Sequence, residues 1–365
     1  MTELLNAIEW EHPIFPLVHD PEWENEVKQV TGGVADVYKR VAASHWLRNT
    51  LLLFDAYRPS HVPNRLIDMA ALVTAQENAC RYCYGVVRAQ MKIFGYSERY
   101  ISKLEREVQL AELNDQDRAF VTFCRSLSRS NPRPASIDRQ PLLDAGFSPE
   151  AVAETVVLIA GNCLFNRVAT FVASEPEQAL EKIAHGLAAY PARALSPITH
   201  ALREVKLRKA VKNQKPSGGS WENHPFATIL KPLESLHAAS VVAKALDNCF
   251  SSGGLPTRTK ALIYSVVART LECDPCQTQM RHRLEEDGMA KEEVEQCLTS
   301  LTLPDLEPFE EKILDWTRNT VHYQPGMIQK RTRILAKEIG EEKAMEAIGV
   351  ASLANSIVRI ATLLT

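Results

Sequence analysis

Two pairs of cysteines are the residues of this sequence whose type and spacing favour chemistry. Cys80 and Cys83 form one C-x-x-C pair, and Cys273 and Cys276 form a second pair 193 residues further along the chain. Three residues turn about 300° around an α-helix, so the two thiols of a pair project from nearly the same face and can close a disulfide. At the start of a helix, unpaired amides and the helix dipole stabilise a thiolate. Each pair therefore indicates a dithiol redox centre.

The residues beside the cysteines distinguish the two pairs. Arg81 lies inside the first pair and adds a positive charge, whereas Glu272 and Asp274 add negative charge at the second pair. A positive charge nearby favours the thiolate, and a negative charge opposes it. We therefore predict that the first pair has the lower thiol pKa and the higher reactivity. The remaining cysteines occur singly in apolar or helical surroundings and are interpreted as packing thiols: Cys124, Cys163, Cys249 and Cys297.

The segments around both pairs have the pattern of amphipathic helices. Apolar residues recur at helical spacing before each pair, and a second helical stripe follows each pair until Gly95 or Gly288 ends it. Glycine is scarce, with 15 among 365 residues, and the alternation typical of strands is hard to find. The sequence predicts an all-α fold.

The separation of 193 residues between the cysteine pairs defines a register of the chain on itself, and other residues also recur in this register. Several further residue types recur at this offset: Pro63 and Pro256, Arg65 and Arg258, Gly95 and Gly288, Arg125 and Arg318. We interpret the chain as two tandem helical domains, 1–180 and 221–365, joined by a helical or flexible connector, 181–220. An internal pseudo-twofold pairing is the economical arrangement of two such domains.

The apolar segment 46–54 is expected to dock on the partner repeat or on another subunit. The basic run 203–215 is interpreted as a solvated linker helix.

Charge and composition exclude several classes of partner. The 42 Lys and Arg residues nearly balance the 45 Asp and Glu residues, and no global field results that would hold a nucleic acid or an anionic bilayer. The first residues lack the basic region of a secretory signal, and no uninterrupted apolar run reaches the roughly 18 residues of a membrane span. We expect a cytoplasmic protein with neither nucleic acid nor membrane as a partner.

The first repeat resembles a known family. The run from Arg65 to Cys83 is similar to the core motif of the carboxymuconolactone decarboxylase and alkylhydroperoxidase-D-like superfamily. The resemblance continues through 113–120 and 145–148 to Asn166 and Arg167, and the second copy carries it from Pro256 to 359. It implies two small all-helical domains of the alkylhydroperoxidase-D-like type and assembly into a homo-oligomer, a trimer or a hexamer.

The resemblance also implies roles for the cysteines. In the peroxidase branch of the family, the second cysteine of the pair reacts with peroxide, and the first resolves the sulfenic acid into a disulfide. Cys83 would then be the peroxidatic thiol and Cys80 the resolving thiol; Cys276 and Cys273 match them in the second copy. A thiol or lipoyl-type electron donor and a small hydroperoxide substrate follow from the same resemblance, with no cofactor and no metal.

The proton relay of that branch is incomplete in both copies. The position of the relay carboxylate is Asp68 in the first copy and Ala261 in the second, and the position of the relay histidine is Val87 or Met280. Loss of a positioned acid or base costs a factor of about 10² to 10⁴ in rate. Glu77, one helical turn before Cys80, is either a local base or a surface or capping carboxylate.

Three functional classes stay open on the sequence alone. The first is a thiol-disulfide oxidoreductase with hydroperoxide reductase, or antioxidant, activity centred on Cys80 and Cys83 with Asp68 assisting; thiol exchange needs only a thiolate, a leaving sulfur and access. The second is a catalytically degenerate binding or scaffolding module. The third is a zinc site that joins both pairs. The decarboxylase branch ordinarily lacks the pair.

Arg167 and Arg359 are interpreted as ion-pairing or capping residues, with Asp68 as a candidate partner of Arg167.

Overall fold

The computed structural model describes residues 5–106, 113–129, 134–185, 189–214, 221–302 and 305–365. Within these ranges the regular elements are α-helices and two short 3₁₀ turns, and they include no strand. The all-α prediction is confirmed.

The helices up to residue 213 include the first cysteine pair. They are α1 (Pro21–Thr31), α2 (Asp36–Arg40), α3 (His45–Ala56), α4 (Asn64–Glu77), α5 (Arg81–Ile93), α6 (Glu98–Arg106), α7 (Asp115–Ser128), α8 (Gln140–Asp144), α9 (Pro149–Phe171), α10 (Gln178–His185) and α11 (Ala189–Asn213).

The helices after residue 220 include the second pair. They are α12 (Ala227–Leu230), α13 (His237–Ser251), α14 (Thr257–Thr270), α15 (Asp274–Glu286), α16 (Lys291–Ser300), α17 (Pro308–Thr320), α18 (Pro325–Ile339) and α19 (Glu341–Leu364).

The two cysteine pairs lie in helical hairpins of the same design. Helices α4 and α5 begin and end 193 residues before α14 and α15, respectively. The turn inside each hairpin contains a left-handed residue that is not glycine, Ala79 with φ 44° or Glu272 with φ 52°. An L-residue adopts this conformation at a cost of about 1–2 kcal/mol, which the packing of the two helices must offset. The turn makes Cys80 and Cys273 the N-cap residues of their helices.

The helices up to residue 213 are called the first half of the chain, and those after residue 220 the second half. The core lies between these two halves. The long helices α9 and α19 pack against each other, α4 packs on α9, and α14 packs on α19. Helix α3 packs on α13 and buries Trp46, whose indole N–H donates to the Glu346 carboxylate of α19 at 2.7 Å. The apolar segment 46–54 therefore docks on the second half of the same chain.

Two buried arginines connect the halves reciprocally. Arg167 of α9 donates to the Thr320 carbonyl at the end of α17 at 2.9 Å, and Arg359 of α19 donates to the Leu127 carbonyl near the end of α7 at 3.1 Å. The carbonyls at a helix C-terminus carry partial negative charge, so they can partner a buried cation. The capping interpretation of both arginines is confirmed, whereas the pairing of Arg167 with Asp68 was wrong.

Helices α9 and α19 have the length and composition of membrane spans, contrary to the sequence-based expectation. Their most apolar 18-residue windows have mean hydropathies of 1.3 and 1.7. Most residues of these windows, 83% and 89%, are buried inside the protein. A helix that is apolar on every side and enclosed by other helices is typical of a core helix.

The described part of the connector contains helices α10 and α11, and α11 is docked along one face while most of its basic residues are exposed. Helix α11 packs along α5, and the Thr199 hydroxyl donates to the Ile93 carbonyl at 2.9 Å. The Asn64 side chain of α4 donates to Glu204 at 2.8 Å. The basic run 203–215 therefore starts on a docked helix, and residue 215 lies outside the described residues.

Candidate thiol site

The first pair forms the N-terminal turn of α5. The Cys80 sulfur, at the N-cap, accepts a hydrogen bond from the Cys83 amide at 3.3 Å. This is the geometry of an N-cap side chain, in which sulfur replaces the usual oxygen. The turn brings the two residues together on one side of the helix, as the spacing predicts.

Cys83 differs from every other cysteine in its exposure. All eight cysteines are free thiols within the described residues; seven are buried, and Cys83 is half-buried. Cys80, the N-cap residue of the same helix, is 1% exposed. The interpretation of the four single cysteines as packing thiols is confirmed. Among the cysteines, Cys83 is therefore the residue with the most exposed surface.

The thiol pKa of Cys83 shifts in the direction opposite to the prediction. Burial raises the pKa of Cys83 well above its ordinary value, and the hydrogen bond and charge of Cys80 add to this rise. Desolvation disfavours the charged thiolate, and here it outweighs the helix N-terminus. Arg81, whose charge was expected to favour the thiolate, places its guanidinium over the Trp10 ring, 4.8 Å from the ring centroid.

The second pair is enclosed. Cys273 is 2% exposed and Cys276 is 0% exposed. Burial is also the largest cause that raises the pKa of the Cys276 thiol well above its ordinary value. The Tyr264 hydroxyl of α14 donates to the Cys276 sulfur at 3.9 Å. The observed difference between the pairs is therefore one of burial: Cys83 is half-buried, whereas Cys273 and Cys276 are buried.

Asp68 belongs to an ion pair with the connector. Its carboxylate accepts two hydrogen bonds from Arg203 of α11, at 2.6 and 2.8 Å, and a third from the Tyr96 hydroxyl at 3.0 Å. The Arg203 guanidinium also lies 3.9 Å from the centroid of the Phe94 ring. With both oxygens engaged, this carboxylate is anchored to α11, and that contact was not predicted.

Glu77 is held by two arginines. Its carboxylate oxygens accept hydrogen bonds from Arg125 at 2.6 Å and from Arg129 at 2.7 Å. The two guanidinium groups occupy both oxygens of the carboxylate. Of the two alternatives for Glu77, the geometry favours the structural carboxylate.

Tyr323 is a residue of the second half that packs against α9 of the first half. It lies in the loop between α17 and α18, and its hydroxyl donates to the Asn166 carbonyl of α9 at 2.7 Å and hydrogen-bonds the Thr170 hydroxyl. Burial raises the pKa of Tyr323 well above its ordinary value, and the next causes are the charges of Cys80 and Cys83. The phenol is therefore another contact between the two halves.

Sequence patterns gave no signal for Tyr323 or Arg203. In the register of 193 residues, Tyr323 falls on Ser130, which lies outside the described residues. Arg203 is one of several basic residues on α11, and nothing in the local sequence distinguishes it. Arg203 contacts α4 of the hairpin and Tyr323 contacts α9, each from a distant part of the chain.

The zinc hypothesis is not supported by the arrangement of the described side chains. Among them, no group of three or more His, Cys, Asp or Glu residues is placed to hold a metal ion. Because both cysteine pairs are among the described residues, they do not form one shared site.

Comparison with known proteins supports the helical fold. No curated protein matches the sequence. Residues 237–319 match the sequence model of the carboxymuconolactone decarboxylase family. This segment spans most of α13 to α17 and includes Cys273 and Cys276. The interpretation of the chain as two tandem copies of one helical domain remains a prediction from the 193-residue register. Over these residues, the second half of the chain is similar to the carboxymuconolactone decarboxylase family.

Proposed function

We propose that the protein is a thiol-disulfide oxidoreductase that cycles Cys80 and Cys83 between dithiol and disulfide and reduces small hydroperoxides. The observation that carries this proposal is the half-buried Cys83, next to Cys80 in the first turn of a helix, in a chain whose other cysteines are buried. The family match supports the fold in which such chemistry occurs, and the activity itself is our inference.

The proposed cycle balances with one hydroperoxide and one external dithiol. The Cys83 thiolate attacks the distal peroxide oxygen, the O–O bond breaks, and the leaving alkoxide takes up a proton to become an alcohol. The resulting sulfenic acid is attacked by Cys80; a disulfide forms and water leaves. A thiol or lipoyl-type donor then reduces the disulfide by exchange and is itself oxidised to a disulfide.

The scaffold alternative applies best to the second half. Cys273 and Cys276 are buried, and the positions of the relay acid and base hold Ala261 and Met280. We propose that this pair serves in packing. The whole chain would then be a cytoplasmic homo-oligomer with one working thiol pair in each copy.

The test is hydroperoxide consumption with dihydrolipoamide as the reductant. We expect Cys83→Ser and Cys80→Ser to abolish turnover, because the first lacks the attacking sulfur and the second cannot resolve the sulfenic acid. Cys276→Ser is the matched control and should keep most of the wild-type rate. If the wild-type protein consumes no peroxide, or if Cys83→Ser consumes it at the wild-type rate, the scaffold alternative replaces the enzyme for the whole chain.

A further inference from the structure

Helix α11 has an apolar face that the rest of the described chain leaves uncovered. Eight residues of 194–205 are exposed, and seven of these are apolar: Ala194, Leu195, Pro197, Ile198, Ala201, Leu202 and Val205. The four large side chains among them are 55–67% exposed. The charged residues of this segment, Arg203 and Glu204, are half-buried and hydrogen-bond Asp68 and Asn64 of α4. A contiguous group of exposed apolar residues indicates an interaction surface.

The spacing of the large residues favours another helix as the occupant of this face. They follow one another at steps of three, four and three residues: Leu195, Ile198, Leu202 and Val205. This is the a and d spacing of two heptads, in which each side chain enters a hole between four residues of a facing helix. A groove for further side chains lies beside the face, lined by Phe94, Gly95, Tyr96, Ser196, Pro197 and His200.

The position of the basic residues argues against a bilayer as the occupant. A helix that lies on an anionic membrane carries Lys and Arg on its polar face, beside its apolar residues. On α11, the exposed residues of 194–205 include no Lys or Arg. The exposed basic residues follow the apolar face toward the C-terminus of the helix: Lys206, Arg208, Lys209 and Lys212.

The same charges favour a second copy of this chain in antiparallel orientation. An antiparallel pair centred at residue 200 sets Leu195 of one copy against Val205 of the other, and Ile198 against Leu202. With a rise of 1.5 Å per residue, the two copies of Lys209 are then about 27 Å apart along the helix axis. This separation exceeds the Debye length of about 8 Å at physiological ionic strength. A parallel pair would instead place each basic residue beside its equal.

We propose that the apolar face of α11 is a twofold interface at which two copies of this chain pair their connector helices in antiparallel orientation. The same patch of both copies meets itself, as a twofold axis requires. The face lies in the connector, outside the segment 237–319 that matches the family. The interface gives a surface to the homo-oligomer of the proposed function and does not depend on the thiol chemistry.

Sedimentation equilibrium of the full-length protein tests the interface. We expect the wild type to form a dimer at micromolar concentrations. Ile198→Glu buries an unpaired charge near the centre of the face and should raise the dimer dissociation constant about 100-fold or more. The matched control is Ile334→Glu on α18, because Ile334 is 56% exposed and Ile198 is 60% exposed. This variant should dimerise like the wild type.

Disulfide cross-linking tests the orientation of the two helices. Under an added oxidant, the variant with both Leu195→Cys and Val205→Cys should form a cross-linked dimer. Leu195→Cys alone should not, because an antiparallel pair holds the two copies of residue 195 about 15 Å apart, and a disulfide needs Cα atoms within about 7 Å. The unsubstituted protein under the same oxidant controls for the native cysteines. Cross-linking of Leu195→Cys alone would overturn the antiparallel arrangement.

The remaining outcomes separate the interface from the proposed function. A wild type that stays monomeric at every concentration overturns the inference, and binding of this monomer to phosphatidylserine vesicles would assign the face to a membrane. Dimerisation of Ile198→Glu at the wild-type strength also overturns it. A dimer that consumes no hydroperoxide supports the interface and removes the proposed activity, whereas an active monomer removes only the interface. Thermal unfolding of each variant identifies any general loss of structure.

Discussion

The chemistry of Cys83 depends on a balance between the helix N-terminus and burial. A helix dipole stabilises a nearby anion by about 0.3–1 kcal/mol, and by about 2 kcal/mol in favourable sites. Desolvation of a charge inside a protein costs several kcal/mol. Burial therefore prevails, and the pKa of Cys83 rises. The thiolate of Cys83 is therefore a minor species at neutral pH.

The raised pKa of Cys83 predicts a steep pH dependence. Below the pKa of a thiol, the thiolate fraction grows about tenfold for each pH unit, and the thiolate is the nucleophile. We expect alkylation of the native protein to accelerate by about this factor per unit between pH 7 and 9. Mass spectrometry should find one label on the native chain and eight after denaturation, the number of cysteines in the sequence. A rate that levels off near pH 7 would contradict the pKa direction.

The buried thiols predict a loss of stability at alkaline pH. Burial raises the pKa of Cys249 to about 12 and that of Cys297 to about 11, from an ordinary value of 9.0. Below pH 9 these thiols are protonated in both states, so their contribution to stability is complete. Above pH 9 the unfolded chain releases their protons first, and the free energy of unfolding falls. Urea titrations at pH 8 and pH 10 measure this change, and a Cys249→Ala variant should show a smaller decrease between the two pH values than the wild type.

At the scale of elements, helix α11 is fastened to the first thiol hairpin through Arg203. The Asp68 carboxylate is 8% exposed and accepts both of its strong ionic hydrogen bonds from this one arginine.

Substitution of Arg203 should loosen α11 and destabilise the chain. In Arg203→Met, the aliphatic part of the side chain stays and Asp68 loses its partner, at a cost of about 1–3 kcal/mol. Asp68→Asn with Arg203→Met should cost less than the sum of the single changes, because the uncompensated carboxylate is gone. Hydrogen exchange along residues 194–213 and the free energy of unfolding measure both effects. Additive single changes would show that the pair contributes no coupling.

Features that depend on local interactions could be predicted from the sequence. Features that depend on contacts between distant residues could not. The helix-turn-helix at Cys80 was predictable, because the apolar spacing and the C-x-x-C are local signals. Three features were not: the raised thiol pKa, the docking of α11 through Arg203 and the approach of Tyr323. Each arises when residues far apart in sequence come together. A basic helix usually has a solvated face, and only the fold reveals that one of its arginines meets a carboxylate.

At the scale of the whole molecule, the two halves share one core. Helices α3 and α13 pack on each other across the halves, as do α9 and α19, and the buried arginines cap helices of the opposite half. An interface with these properties resembles the interior of a single domain more than a contact between independent domains.

Removal of one cross-half arginine should weaken both halves together. In Arg359→Met, the carbonyls at the end of α7 lose their buried partner, and we expect a loss of about 2–3 kcal/mol in a single cooperative transition. Circular dichroism and intrinsic fluorescence should give the same transition midpoint. Two separated transitions would mean that the halves unfold independently.

The reciprocal capping also has a consequence for synthesis on the ribosome. The first half emerges before α13 and α19 exist, so the apolar face of α3 and the end of α7 have no partners at that stage. Nascent chains with exposed apolar helices tend to aggregate or to bind chaperones. The core that the two halves share therefore forms only after α13 and α19 have been translated.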